Sequence, residues 1–147
     1  MNRMTDKVAV VTGGGSGFGA GIARQFCDEG ARVVLLDLNQ EAAESIAKEI
    51  GETCLPVYAD ISDKSNLSSA IDQIIDWSGK IDILVNNAGV GHEPTPLYEL
   101  SEKQFDRIFQ VNMRGNYLTS NLVVPSMKAK GQGCILNIAS TAGVSPR

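Results

Sequence analysis

Apolar residues along the chain occur in two alternating arrangements, short continuous runs and helical spacings. The continuous runs predict strands, over residues 8–11, 31–36, 54–59, 81–85 and 134–138. Between them, apolar residues recur every three or four positions and predict helices. The last helix begins near Ser101 and runs to about Met127, and Pro125 is expected to kink or end it. This alternation predicts an α/β fold, a doubly wound parallel sheet with strand order 3-2-1-4-5.

The first predicted strand breaks directly into a glycine-rich turn that leads into the first helix. This segment reads Thr12-Gly13-Gly14-Gly15-Ser16-Gly17-Phe18-Gly19. A helix amino terminus presents free N–H groups, and a turn without Cβ atoms lets a phosphate approach them closely. The order strand, glycine turn, helix therefore favours nucleotide binding over a simple tight connection. The pattern Gly-x-Gly-x-x-Gly does not occur, and Ala20 stands where a triphosphatase loop needs lysine.

Asp37 lies at the carboxyl end of the second predicted strand, eighteen positions beyond Gly19. An acidic residue at this place in a dinucleotide-binding fold hydrogen-bonds the adenosine ribose and repels a 2′-phosphate. Asp37 therefore indicates NAD rather than NADP. The alternative is a solvated residue that caps the next helix, which agrees with Glu41 four positions later.

Two motifs of the chain resemble those of the short-chain dehydrogenase/reductase family. One is the pattern Thr-Gly-x-x-x-Gly-x-Gly over residues 12–19, and the other is Asn86-Asn87-Ala88-Gly89 after the fourth predicted strand. The resemblance covers the whole chain and implies a Rossmann fold that binds NAD. Family members that take NADP commonly carry a basic residue at the places of Ser16 and Leu38, so these two residues also favour NAD. The cofactor-binding residues that the resemblance implies are Gly13, Gly15, Ser16, Gly17, Phe18, Gly19, Asp37, Leu38, Asp60, Ile61, Asn87, Ala88 and Gly89.

The resemblance also implies a role for each part of this set. The glycine turn is expected to hold the pyrophosphate, and residues 87–89 to border the adjoining ribose. The paired asparagine amides are expected to tie neighbouring strand ends together. In family members, the acidic residue at the position of Asp60 hydrogen-bonds the adenine amino group. The backbone of the next residue, here Ile61, contacts the ring. The residues themselves leave open that Asp60 is a turn residue, or that it starts a helix with Ser62 and Asp63 as caps.

Two further residues are candidates for catalysis. Asn112 lies among apolar residues of the last helix, where an unpaired amide would cost about 1–3 kcal/mol. The family places here an asparagine that distorts the helix and holds a water of the proton relay; a satisfied core asparagine is the alternative. Ser140 follows the fifth strand, where the family has a serine that hydrogen-bonds the substrate oxygen. Thr141 is an alternative for that role, and a plain loop serine is another.

The family's acid and base, a tyrosine and a lysine four residues later, do not occur in these 147 residues. Tyr58, Tyr98 and Tyr117 are followed at that spacing by serine, glutamate and asparagine. We therefore expect residues 1–147 to be an NAD-binding domain, the amino-terminal part of a longer enzyme, with the sheet cut after the fifth strand. The alternative is a truncated product that must pair through its open strand edge.

The resemblance implies an NAD(H)-dependent oxidoreductase that interconverts a secondary alcohol and a ketone. The substrate would be a small molecule, as for a 3-oxoacyl reductase or a polyol or sugar dehydrogenase. A homo-oligomer, either a dimer or a tetramer, is expected. A catalytically silent dinucleotide-binding module is the alternative function.

Composition narrows the class of protein further. The chain is 43% apolar and 20% charged, as globular domains are, and its net charge of −4 argues against nucleic-acid or anionic-membrane surfaces. Neither a membrane span nor a signal peptide is evident, so a cytoplasmic location is expected. Cys27, Cys54 and Cys134 lie in apolar surroundings and are predicted to be reduced core thiols. His92 is the single histidine and has no partner at metal-ligand spacing, so no metal site is expected.

Overall fold

Parallel strands form the centre of the fold in the computed structural model, which describes residues 2–140. The strands are β1 (Val8–Thr12), β2 (Arg32–Asp37), β3 (Cys54–Tyr58), β4 (Ile83–Asn86) and β5 (Cys134–Asn137). They form one sheet in the order β3-β2-β1-β4-β5, which confirms the predicted topology. Val10 of β1 pairs with Val34 of β2 on one side and with Leu84 of β4 on the other.

Helices connect the strands and cover both faces of the sheet. They are α1 (Gly17–Asp28), α2 (Gln40–Ile50), α3 (Lys64–Ser78), α4 (Glu102–Phe109) and α5 (Asn116–Ala129), with a short 3₁₀ turn at Leu97–Glu99. Within residues 2–140, no helix is long and apolar enough to cross a membrane.

The long predicted helix is continuous but irregular. A π-helical segment, Gln110–Gly115, joins α4 to α5. The helix runs on past Pro125 to Ala129, so the expectation that this proline could end it is wrong. A proline removes one backbone hydrogen bond, and the last turns of α5 tolerate that loss because Val123 and Met127 anchor them in the core.

Side chains at the helix starts satisfy backbone N–H groups that have no partner within the helix. Asn39 caps α2, and Asp63 caps α3 by accepting from two N–H groups of its first turn. Ser101 and Gln104 form a reciprocal capping box at α4. These caps give α2, α3 and α4 a defined starting residue.

Successive side chains of the central strands enter two separate cores. Val10 and Leu84 pack on the face covered by α3 and α5, whereas Val11 and Leu35 pack on the face covered by α1 and α2. Successive side chains of a strand point to opposite faces, so a strand covered on both sides needs a continuous apolar run. All five residues of β1 are accordingly buried.

β5 is one of the two edge strands of the sheet that residues 2–140 form. Among the described strands it pairs only with β4, and all four of its residues are exposed. Cys134 is therefore exposed, and the prediction that it is a core thiol is wrong. Cys54 is buried and Cys27 half-buried, as predicted for core thiols. Apolar neighbours in the sequence did not distinguish a central strand from an edge strand.

Asp82 is a buried carboxylate at the opposite, amino edge of the sheet, with 5% exposure. Its Oδ2 accepts from the N–H of Val8 at 2.9 Å and lies 3.0 Å from Nζ of Lys80. Its Oδ1 accepts from Nζ of Lys130 at 2.8 Å. Burial opposes ionisation, but these hydrogen bonds outweigh it and lower the pKa of Asp82 to about 2.

Candidate functional site

The glycine turn connects β1 to α1 at the carboxyl edge of the sheet. Gly13 and Gly17 have φ angles of +65° and +51°, which residues with side chains rarely adopt. A Cβ on Gly19 would lie 2.1 Å from the carbonyl oxygen of Gly13, so the turn and the helix pack where no side chain fits. Ser16 stands at the N-cap of α1 but makes no side-chain cap bond. The turn therefore brings the amino end of α1, uncapped by a side chain, to this edge.

Asn87 locks the turn to the end of β4. Its Nδ2 donates to the carbonyl oxygens of Thr12 and Gly13, at 2.9 and 3.2 Å. In return, Oγ1 of Thr12 accepts from the N–H groups of Asn87 and Ala88, both at 3.0 Å. Nδ2 of Asn86 in turn donates to Oδ1 of Asn137, its neighbour on β5, at 2.8 Å. These bonds confirm the prediction that the amides tie neighbouring strand ends together.

The carboxylate of Asp37 stands beside the glycine turn. Its Oδ2 accepts from the N–H of Gly15 at 2.8 Å, and its Oδ1 accepts from the N–H of Asn39 at 2.9 Å. Asn39 is the cap of α2, so the alternative interpretation of Asp37 as a helix cap is wrong. Asp37 instead brings a negative charge against the turn.

Asp60 follows β3 and forms a local turn. Its Oδ1 accepts from the N–H and the hydroxyl of Ser62, at 2.8 and 2.6 Å. Asp63 caps the helix that begins after it. Both structural alternatives for this segment therefore hold in part, because Asp60 makes the turn and Asp63 makes the cap. Asp60 and Ile61 nevertheless line the same cleft as the glycine turn.

That cleft has a volume of about 560 Å³ and opens along the carboxyl edge of the sheet. Gly15 and Gly19 are outside its lining: the first bonds to Asp37, and the second packs against Gly13. The structure brings the other predicted cofactor-binding residues together on its walls, namely Gly13, Ser16, Gly17, Phe18, Asp37, Leu38, Asp60, Ile61, Asn87, Ala88 and Gly89.

Arg107 and Val111, from the long helix, also line this first cleft, and sequence reasoning missed both. Val111 is one of the apolar positions of the helix, and periodicity does not separate a side chain in a cleft from one in the core. Arg107 is an exposed cation on an amphipathic helix, as Lys103 is. No pattern in the sequence distinguishes the two cations.

Asn112 lies in the π-helical segment, which confirms the prediction that the helix is distorted there. Its Oδ1 accepts from the N–H of Val90 at 2.8 Å, and its Nδ2 donates to the carbonyl oxygen of Val90 at 2.9 Å. The carbonyl oxygen of Asn112 accepts from Nδ2 of Asn116 at 2.9 Å. The side chain of Asn112 therefore fixes the loop after β4 to the long helix.

A second cleft, of about 880 Å³, meets the first along residues 87–90, which line both. The two predicted catalytic residues, Asn112 and Ser140, line this second cleft. Thr141, the alternative to Ser140, lies outside the described residues. Tyr117 and Ser120 line it as well and were missed, because nothing marks them within a helix that is apolar over much of its length. The predicted catalytic residues thus lie in the second cleft, which they share with only three of the predicted cofactor residues, Asn87, Ala88 and Gly89.

Comparison with known proteins gives one family. The sequence matches the family model described as short chain dehydrogenase over residues 7–147. A 2-(R)-hydroxypropyl-CoM dehydrogenase of Xanthobacter autotrophicus is 40% identical over 144 residues, which are 94% of this chain and 58% of that protein. A sorbitol dehydrogenase of Cereibacter sphaeroides is 37% identical over 142 residues, 96% of this chain and 55% of that protein. The chain spans about half the length of the curated relatives it matches.

Solved structures agree with this match. A 3-ketoacyl-(acyl-carrier-protein) reductase from Brucella melitensis, complexed with NADH, superposes with a TM-score of 0.95 at 47% identity, covering 98% of this chain and 61% of that one. An NAD⁺-bound xylitol dehydrogenase superposes with a TM-score of 0.94 at 30% identity, covering 99% of this chain and 57% of that one.

Proposed function

The chain belongs to the short-chain dehydrogenase family, and from this membership we propose that it binds NAD(H) as the cofactor-binding part of an oxidoreductase. The proposed reaction interconverts a secondary alcohol and a ketone. The observation that carries the proposal is the contact between the glycine turn and Asp37, whose carboxylate accepts from the N–H of Gly15 at 2.8 Å. The NADH and NAD⁺ bound in two similar enzymes support the choice of cofactor.

The glycine turn fits a pyrophosphate group. The space where a Cβ of Gly19 would stand is closed by the backbone, and the positive φ of Gly13 turns the chain sharply ahead of α1. We propose that residues 13–19 surround the pyrophosphate and that N–H groups at the start of α1 donate to its oxygens. The bonds from Asn87 to the turn hold this shape in the chain itself, so the site is organised before the cofactor arrives.

Asp37 supports NAD over NADP on electrostatic grounds. We propose that its carboxylate accepts from the ribose hydroxyls of the adenosine half, where a 2′-phosphate would meet a like charge. Ser16 and Leu38 line the same cleft and bring no positive charge to offset that repulsion. Phe18 and Leu38 are 84% and 61% exposed at the cleft, which leaves apolar surface for a bound dinucleotide to cover.

The remaining cofactor contacts follow from the same cleft. We propose that Asp60 and Ile61 border the adenine and that residues 87–89 border the second ribose. Ala88 has only a methyl side chain and Gly89 has none, which leaves room for the cofactor between the two clefts.

The second cleft is the proposed place of the substrate. Bound NAD⁺ would supply the hydride acceptor, and the hydroxyl of Ser140 would hold the substrate oxygen. Asn112 holds residues 87–90 in place between cofactor and substrate through its two bonds with Val90. A catalytically silent dinucleotide-binding module is the second candidate function.

Titration with NADH and NADPH tests the cofactor proposal. Asp37→Ala should lower NADH affinity roughly tenfold or more, the value of a hydrogen bond to a charged group, and should erase the preference over NADPH. Asp37→Asn should also lose the preference, because it removes the charge and keeps the size. Asp72→Asn is the control, since it removes an exposed carboxylate of α3 far from the cleft lining. An unchanged NADH-to-NADPH ratio in both Asp37 variants would contradict the proposal.

An assay of oxidoreductase activity separates the enzyme from the silent module. The 147-residue chain and a chain continued through the next helix would be incubated with NAD⁺ and a panel of secondary alcohols. Turnover in either chain supports an enzyme, and turnover only in the longer chain assigns proton transfer to its added residues. NADH binding without turnover in both would favour the silent module.

We also propose that the chain assembles as a homo-oligomer. Phe105, Phe109, Met113 and Tyr117 follow one another at four-residue spacing along the long helix, and all four side chains are exposed. A second copy would cover the end of this stripe formed by Phe105 and Phe109, since Met113 and Tyr117 also line the second cleft. Sedimentation of the parent and of Phe109→Glu tests the proposal. A monomeric parent would contradict it.

The cytoplasmic location and the extent of the NAD-binding domain, residues 1–147, stay predictions.

A further inference from the structure

We propose that Arg107 is a further cofactor-binding residue, whose guanidinium stacks on the adenine ring in the first cleft. This inference rests on the proposed function, because it needs a dinucleotide in that cleft. It assigns a specific contact to a residue that neither the sequence motifs nor the glycine turn indicated.

Arg107 lies on the long helix that borders the proposed adenine end of the first cleft, where Arg114 of that helix donates to the carbonyl oxygen of Ser62. Arg107 lines the first cleft together with Asp60, Ile61 and Val111. The proposed adenine contacts, Asp60 and Ile61, follow β3, whereas Arg107 comes from the facing helix α4. α4 is held by its capping box at Ser101 and, one turn beyond Arg107, by the bonds between Asn112 and Val90. The capping box thus closes the start of the helix that carries Arg107, and the Asn112 bonds tie its end to the cleft residue Val90.

Arg107 differs from the other arginines within residues 2–140 because its side chain makes no hydrogen bond, ion pair or ring contact with these residues. Arg3 and Arg24 pair with glutamates, Arg32 stacks 3.8 Å from the ring centroid of Trp77, and Arg114 donates to a backbone carbonyl. The two carboxylates that line the cleft, Asp37 and Asp60, accept hydrogen bonds from Gly15, Asn39 and Ser62, and neither pairs with Arg107. The guanidinium is therefore available to a ligand.

The chemistry of the guanidinium suits a purine. It is planar and weakly hydrated, and it stacks on aromatic faces, whereas an ammonium group acts as a compact point charge. The apolar side chains of Ile61 and Val111 in the same lining provide a surface on which the flat base can rest. The competing explanation is that the charge of Arg107 attracts the pyrophosphate without stacking on the adenine. A variant that keeps the charge but removes the plane separates the two explanations.

The test measures the affinities of NADH and ADP-ribose by calorimetry for the parent and three variants. Arg107→Gln removes the charge and the stacking plane, and Arg107→Lys keeps the charge but not the plane. Lys103→Gln is the control, because it removes one positive charge from an exposed position of the same helix outside the cleft. Circular dichroism checks that all variants fold like the parent.

Both Arg107 variants should bind NADH and ADP-ribose roughly two- to fivefold more weakly, the effect expected for a stacked cation. The fold-change should be equal for the two ligands, since both contain the adenine, and Lys103→Gln should bind like the parent. Full affinity in Arg107→Lys, a loss for NADH alone, or an equal loss in Lys103→Gln would each overturn the inference. A parent chain that binds neither ligand would instead refute the proposed function.

Discussion

Replacing Asp82 by asparagine should destabilise the chain by roughly 2–4 kcal/mol near neutral pH. The buried carboxylate accepts hydrogen bonds from Val8, Lys80 and Lys130, which lower its pKa from an ordinary 3.8 to about 2. Each unit of pKa corresponds to about 1.4 kcal/mol, so ionised Asp82 contributes on the order of 2 kcal/mol to folding. The amide of the variant keeps an oxygen for the N–H of Val8 but leaves both ammonium groups without a counter-charge.

The pH dependence of this contribution follows from the lowered pKa. The contribution is fully present well above the ordinary pKa of 3.8, where the carboxyl is ionised in both the folded and the unfolded chain. It is lost as the pH falls from there through about 2, because the unfolded chain takes up the proton first. At pH 3 roughly half remains, so the gap between the parent and Asp82→Asn should shrink by about 1 kcal/mol relative to pH 7.

Urea unfolding of both proteins at the two pH values measures this gap. Glu29→Gln is a matched control, because the hydrogen bond from Arg3 also lowers the pKa of Glu29 to about 2, yet the Arg3 side chain is 70% exposed. Its effect should be smaller and should decrease further in salt, since water and ions reach the pair at the exposed guanidinium of Arg3. A gap for Asp82→Asn that is equal at both pH values would refute the reasoning, as would an equal loss in Glu29→Gln.

Two further predictions concern the candidate site. Gly19→Ala should weaken NADH binding about tenfold, because its Cβ would lie 2.1 Å from a carbonyl oxygen of the turn and force the turn to move. Gly21→Ala, whose Cβ meets nothing within 4 Å, should bind NADH normally in the same fluorescence titration; equal losses would contradict a role for the turn geometry. Asn112→Ala should lower the free energy of unfolding by roughly 2–4 kcal/mol, because the N–H and C=O of Val90 both lose their partner. Asn121→Ala, at an exposed position, is its control in urea unfolding. An equally small loss of unfolding free energy in both variants would contradict a stabilising role of the Asn112 bonds.

The elements of the fold could be predicted because their signals are local. A strand that is covered on both faces needs a continuous apolar run, and residues 8–11 form one. The glycine turn could also be predicted, since Gly13 and Gly17 adopt the positive φ angles that glycine readily allows. The predicted strand order is that of a doubly wound dinucleotide-binding sheet, which the alternation of strands and helices around the glycine turn indicates.

Other assignments were ambiguous because they depend on which of several polar groups reaches a given N–H. Asp37 and Asn39 both stand before α2, and only the structure shows that Asn39 caps the helix while Asp37 turns to Gly15. At the end of β3, Asp60 makes the turn and Asp63 the cap, although either was a reasonable helix start. Composition within three or four residues does not decide between such neighbours.

The sequence by itself determined the strands, the helices, the glycine turn and the family resemblance, because each of these depends on residues close together in the chain. The tertiary structure decided which distant residues share a surface. It brought Arg107 into the cleft of the glycine turn, joined Asn112 to Val90 across 22 positions, and left Cys134 exposed at the sheet edge. These contacts depend on strand order, on register and on where the long helix crosses the carboxyl edge, and a local pattern of apolar and polar residues does not encode those distances.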